Sequence, residues 1–218
     1  MSLGVGSLLR AEGEFAPGGR SVPWAGLALL LALGGFAYGA CMGSFGLRAL
    51  QAFYSGTKVP LLLVFSTLIC LPNFFVVNTL LGLRDDFAAA CRGIIAAQAT
   101  VGVALASLSP VILFIHASTD NYRVVVLMNG VVFAIATLAG QVTLNKHYRV
   151  LVASNPRHDV GRIAWVTLYV FVAIQAAWVL RPFIGAPDLP SQFFRADPWS
   201  NAYVTIAEDI WVLLEGLF

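Results

Sequence analysis

The chain has 218 residues, 59% of them hydrophobic and 11% charged, with 13 Lys and Arg against 11 Asp and Glu. A soluble domain needs far more polar side chains to cover its surface, and a mean hydropathy of +0.82 excludes both a soluble globule and a disordered chain. The near-balanced charge offers nucleic acid no basic patch, and Cys41, Cys70 and Cys91, without CxxC spacing, read as small buried hydrophobes.

Residues 1–21 are interrupted by Arg10, Glu12, Glu14 and Arg20, which is unlike a secretory leader, and are expected to form a short cytoplasmic arm. Five apolar stretches follow, at about 24–47, 59–83, 94–115, 124–145 and 163–183. A bilayer core takes about 20 apolar residues of helix at 1.5 Å rise per residue, so each stretch is long enough to cross. The expected fold is all-α: a polytopic transmembrane helical bundle of about five spans over 22–184, followed by a tail at 185–218 that carries an amphipathic helix.

The first span contains Gly35, Gly39 and Gly43 in a GxxxGxxxG run, with Gly34 and Gly46 nearby. Within lipid, close backbone approach along small residues is a main source of helix association. The run therefore predicts a tight helix contact, either with another span of the same chain or as a seam between copies. Leu31 on the same span is read as facing lipid.

In the second span Pro60 suits a helix start, while Pro72 lies mid-span, where proline removes a backbone hydrogen bond and kinks a helix. Asn73 and Asn78 sit near the freed backbone, and the third span repeats the pattern with Ser107, Ser109 and Pro110. Such residues read as simple kinks, or alternatively as the lining of a path, since unwound backbone at depth survives only where it is buried or wet. No span carries Asp, Glu or Lys at its centre, which takes weight from ion-coupled transport. Asn129, Thr137 and Gln141 in the fourth span and Gln175 in the fifth read as interhelical hydrogen-bond glue. Trp178 and Arg181, at the end of the fifth, read as interface anchors, the arginine snorkelling to the headgroups.

In the tail, Asp197 before Pro198 has the form of a helix start. Beyond it Trp199, Tyr203, Ile206, Ile210, Leu213 and Leu217 share one face, with Glu208 and Glu215 on the other. This acidic amphipathic helix is expected to rest on the protein or on the outer interface, with a partner-docking helix as the alternative. With the N-terminus inside, Arg10, Arg20, Arg84, Arg92, Lys146, Arg149, Arg157 and Arg162 face the cytoplasm, against Arg48, Lys58, Arg123, Arg181 and Arg195 outside. The bias of eight to five favours N-inside and C-outside.

Catalytic signatures are missing: there is no GxSG serine with a partner histidine, no HExxH and no paired carboxylates within a span. His116 ends the third span alone and reads as an interfacial histidine, with a single axial ligand to a pigment or haem as the alternative. No cofactor or metal is expected. The segments Lys58-Val59-Pro60-Leu61-Leu62-Leu63, Ile69-Cys70-Leu71-Pro72 and Ser109-Pro110-Val111-Ile112 resemble those of the Yip1-like family of five-span membrane proteins, especially its bacterial members. The stretch from Trp178 to Tyr203 is likewise similar to that of bacterial membrane proteins. The resemblance implies five helices and a cytoplasmic N-terminus. Its eukaryotic relatives act in vesicle traffic through small-GTPase partners, a role from which the short N-terminal arm departs. The expectation is a non-enzymatic scaffold or accessory subunit of the bacterial inner membrane, packing with itself or with other integral proteins. The alternative is a channel or uncoupled carrier whose path runs beside Pro72 and Pro110.

Overall fold

The computed structural model describes residues 4–16, 24–186, 189–195 and 201–204. Among these residues helix is the only regular secondary structure: α1 (Val5–Arg10), α2 (Trp24–Gly43), α3 (Ala49–Leu80), α4 (Phe87–Ser118), α5 (Tyr122–Ser154) and α6 (Arg157–Val179), with short 3-10 turns at Gly13–Phe15, Phe45–Leu47 and Arg84–Asp86. Helices α2 to α6 are the five that are long and apolar enough to cross a membrane. At 1.5 Å per residue, α3, α4 and α5 are each about 48 Å long and overrun a bilayer core of about 30 Å. The extra turns carry polar side chains, Gln51, Ser55 and Lys58 in α3 and Lys146, His147 and Arg149 in α5. Helix α3 begins at Ala49, well before the apolar stretch at 59–83, and α5 continues to Ser154, well past 145.

Tight turns force consecutive spans to run antiparallel. Gly46, with φ of 69°, lies in the left-handed region that a side chain disfavours and lets the chain reverse between α2 and α3. Asn121 caps α5, its side chain accepting from the Arg123 and Val124 amides. Helix α2 packs between α3 and α4, α4 packs on α5, and α3 on α6, whereas α5 and α6 touch only sparsely. The five spans thus close into a ring with one weak seam.

The glycine run explains why α2 is central. A Cβ on Gly35 would stand 3.2 Å from the Pro60 nitrogen, and one on Gly43 would stand 2.6 Å from the Gln51 carbonyl oxygen. Gly39 rests directly on the backbone of Ser55 and Gly56, and Gly34 on that of Gly102 in α4. The run is therefore consumed within the chain, its three glycines against α3 and Gly34 against α4. Pro60, expected near a helix start, is instead inside α3, where its missing amide and flat ring suit the contact with Gly35. Leu31, read as facing lipid, is 7% exposed, because Gly102 lets α4 come up against its backbone. Leu33 is the lipid-facing leucine of this helix, at 55% exposed.

The interior divides along the bundle axis. Tyr38, Val59, Leu63, Val101, Leu105, Val132 and Ala136 fill the end near the α2–α3 turn. Cys70, Phe74, Ile94, Leu144, Tyr148 and Trp165 fill the other. At that second end His158 Nε2 lies 3.1 Å from Asp86 Oδ2 and Arg162 donates to Asn145 of α5 at 2.6 Å, tying α6 to its neighbours, while Arg162 also pairs with Asp159 of its own helix at 2.8 Å. The N-terminal arm also docks there: Leu8 is fully buried against Leu27, Leu30, Ala96 and Ala99, and Lys146 donates to the Leu9 carbonyl at 2.9 Å.

The tail helix expected from Asp197 onward lies outside the described residues except at 201–204. There it rests on α6. Ala202 donates its amide to Gln175 Oε1 at 3.0 Å, and Tyr203 stacks on Phe171 with ring centroids 4.2 Å apart.

Candidate functional site

Beyond Val179 the chain leaves the helix and folds back over the end of the bundle as an extended strap. Extended backbone next to a bilayer has carbonyls that need donors, and α3 supplies them. Arg48, Gln51, Ser55 and Lys58 recur at helical spacing on one face. Arg48 donates to the Ala186 and Leu189 carbonyls at 2.7 and 2.6 Å and to Ser191 Oγ at 2.9 Å. Gln51 Nε2 reaches the Pro182 and Phe183 carbonyls at 3.2 and 3.1 Å, and Ser55 Oγ donates to Phe183 as well. Lys58 Nζ donates to the Pro182 carbonyl at 2.6 Å and stands 4.9 Å from the Phe193 ring centroid. Lys58 is fully buried, although the sequence put it at the mouth of a span. Gly185 fits because a Cβ there would meet Arg48 Nη1 at 2.7 Å.

Beneath the strap, facing α5, is a cavity of about 590 Å³, within the usual range for small-molecule sites. Val59 and Leu62 of α3, Val126, Asn129 and Phe133 of α5, Ala177 of α6 and the strap from Arg181 to Ala186 form its walls. A second cavity of about 270 Å³ continues along the α5–α6 seam, bounded by Gln98, Thr137, Gln141, Trp165, Tyr169 and Ala173. The two share Leu62, Phe133 and Ala177, so they form one cleft with a neck. Its far end meets the filled core around Phe74, Leu144 and Trp165.

Charge gathers at the strap end. The Arg181 guanidinium lies over the Trp178 ring, 3.1 Å from its centroid, and Arg195 approaches the same ring at 4.7 Å. Stacking of guanidinium on indole is favourable, but two like charges held together in an apolar setting repel. The described residues lining this cavity include no carboxylate. Two of its other donors are engaged: Tyr122 OH donates to the Ile184 carbonyl at 3.0 Å, and Asn129 Nδ2 to the Val125 carbonyl at 2.8 Å while its Oδ1 accepts from Tyr38. Nε and Nη2 of Arg181 are shielded from solvent and have no hydrogen-bond partner among the described residues.

The residues singled out in the sequence are scattered relative to this cleft. Trp178 and Arg181, read as interface anchors, stand at its head. Pro72, Asn73 and Pro110 are exposed on the outer surface of helices that run through them unbroken. Pro72 is eight residues from the end of α3 and Pro110 eight from the end of α4, so they sit about 12 Å from opposite ends of an antiparallel pair. Asn78 and Ser109 are buried but bond back to their own helices, at the Phe74 and Leu105 carbonyls. None of the five lines either cavity. His116 lies edge-on to Phe45 at 5.3 Å, with both ring nitrogens buried and unpartnered among the described residues. No group of three or more His, Cys, Asp or Glu able to hold a metal occurs among the described residues. No family model, curated protein or solved structure matches this chain.

Proposed function

We propose that this chain is a non-enzymatic membrane protein, a scaffold or accessory subunit that engages another membrane-embedded molecule from the side. The observation that carries this reading is the cleft along the weak α5–α6 seam, which faces laterally and ends inside the bundle on the Phe74, Leu144 and Trp165 core. A conducting path would have to continue through that core. The wall is largely apolar, as suits a partner taken from lipid rather than a solute taken from water. The glycine run, already filled by α3 and α4, lends no support to a seam between copies.

A Yip1-like kinship is supported by the five-span count together with the Lys58–Leu63 and Ser109–Ile112 segments. A cytoplasmic N-terminus in a bacterial inner membrane is supported by the basic bias at Arg84, Arg92, Lys146, Arg149, Arg157 and Arg162. The test is a photocrosslinking residue at Ile174, which lines the cleft, combined with flux measurements on reconstituted vesicles. The accessory reading expects capture of a membrane component and no flux above that of empty vesicles. A solute flux abolished by Ala177→Phe would overturn it.

A further inference from the structure

We propose that the cleft binds an anionic phospholipid, its phosphate on Arg181 and one acyl chain along the α5–α6 seam; this rests on the lateral-cleft reading above. Nε and Nη2 form the side-on edge of a guanidinium, the edge that presents two parallel N–H groups to two oxygens of a phosphate. In Arg181 both atoms are buried and lack a partner among the described residues. Leaving charged donors unmatched away from water is costly, and the Trp178 ring beneath them offers a face but no acceptor. Arg195, at 4.7 Å from the same ring, adds a second positive charge at this end. An anion brought here completes the unmatched edge of Arg181.

The rest of the cleft selects for a tail. Below the arginines the walls are Val59, Leu62, Val126, Phe133 and Ala177, and the seam beyond them is lined by Val101, Ala173 and Ile174. Two of its polar side chains are engaged within the protein: Tyr169 donates to Gln98 Oε1 at 3.2 Å and Thr137 to the Phe133 carbonyl at 2.9 Å. From Ala177 to Trp165 this seam runs about 18 Å along α6, close to the depth of one leaflet of a bilayer core, about 15 Å. A free phosphate would fill only the head of such a site. The charge at one end and the length of apolar wall behind it together match a lipid.

The experiment offers the purified protein phosphatidylglycerol or phosphatidylcholine at equal molar ratio in detergent and counts retained lipid by native mass spectrometry. We expect one phosphatidylglycerol retained per chain, at least tenfold in preference to phosphatidylcholine. Arg181→Gln should remove that preference, Arg181→Lys should keep part of it, and Ala177→Phe, which plugs the neck, should release both lipids. Equal retention of the two lipids by the unmodified protein, lost in Ala177→Phe, would overturn the headgroup assignment and leave the cleft standing. Retention of neither would overturn the lipid assignment altogether, and a preference unchanged in Arg181→Gln would move the phosphate elsewhere. The comparison of two lipids on the unmodified chain depends on no variant folding.

Discussion

Replacing Gly39 tests the packing of α2 on α3 most directly. A Cβ at this position would stand 2.9 Å from the Gly56 Cα and closer still to the Ser55 carbonyl group, all of it main chain. Ordinary carbon contacts need about 3.5 to 4.0 Å, so α2 and α3 must separate by about an ångström even for Gly39→Ala. A gap of about 0.5 to 1 Å forfeits a quarter to a half of each neighbouring dispersion contact, and overpacking of this kind costs about 1 to 3 kcal/mol. Gly39→Leu should lie at the upper end or beyond. Leu33→Ala, on the lipid-facing side at 55% exposed, is the matched control and should cost under about 0.5 kcal/mol. Cys70 is fully buried, so on a background with the half-buried Cys41 and Cys91 replaced by serine a thiol-reactive fluorophore reports unfolding in detergent. At about 2 to 4 °C per kcal/mol for a chain of this size, Gly39→Ala should melt about 2 to 12 °C lower. Equal melting of Gly39→Leu and the parent would refute the packing argument. A smaller oligomer with unchanged melting would put the glycines at a seam between copies.

Gln51→Leu should free the strap, because Gln51 gives two donors' worth of contact to the Pro182 and Phe183 carbonyls. The expected loss is about 1 to 3 kcal/mol, read as faster hydrogen exchange at 183–186 with little change in α4. Cysteines placed at Asn73 and Ser109 should resist water-soluble thiol reagents in a bilayer, since Asn73 faces outward and Ser109 is buried. Ready labelling at both, together with flux lost in Asn73→Leu, would restore the path beside the prolines. On a background stripped of the native cysteines, an impermeant thiol reagent added to intact cells should label a cysteine within 185–218 and spare one within 146–162; the reverse pattern would invert the topology.

The five spans were legible because length and hydropathy suffice to identify a bilayer-crossing helix, and the glycine run was legible as a close contact because only backbone can fill the space beside it. The partner of that run was not, since spacing says that a helix comes near without saying which. The true start of α3 was hidden by Arg48, Gln51, Ser55 and Lys58, which read as loop on hydropathy but form a regular stripe once the strap's carbonyls are in view. Their spacing was the available signal. The cleft had no sequence signature at all: it exists because α5 and α6 approach poorly and because the strap turns Arg181 inward over Trp178. From sequence alone, an arginine ending a span looks the same whether it snorkels outward or closes a cavity.

The bond between α3 and the strap also sets an order on the making of the protein. The donors at 48–58 emerge from the ribosome more than 120 residues before the carbonyls they serve, as the separations of 124 to 143 residues along the chain record. Until that late segment arrives, Lys58 lacks its Pro182 acceptor and Gln51 has only Ser55 within its own helix. Pro182, Phe183, Ala186, Leu189 and Ser191 then supply the acceptors for this stripe. A chain cut short before Pro182 would keep the glycine contacts of α2 on α3 and leave the donors of the first turns of α3 without these acceptors.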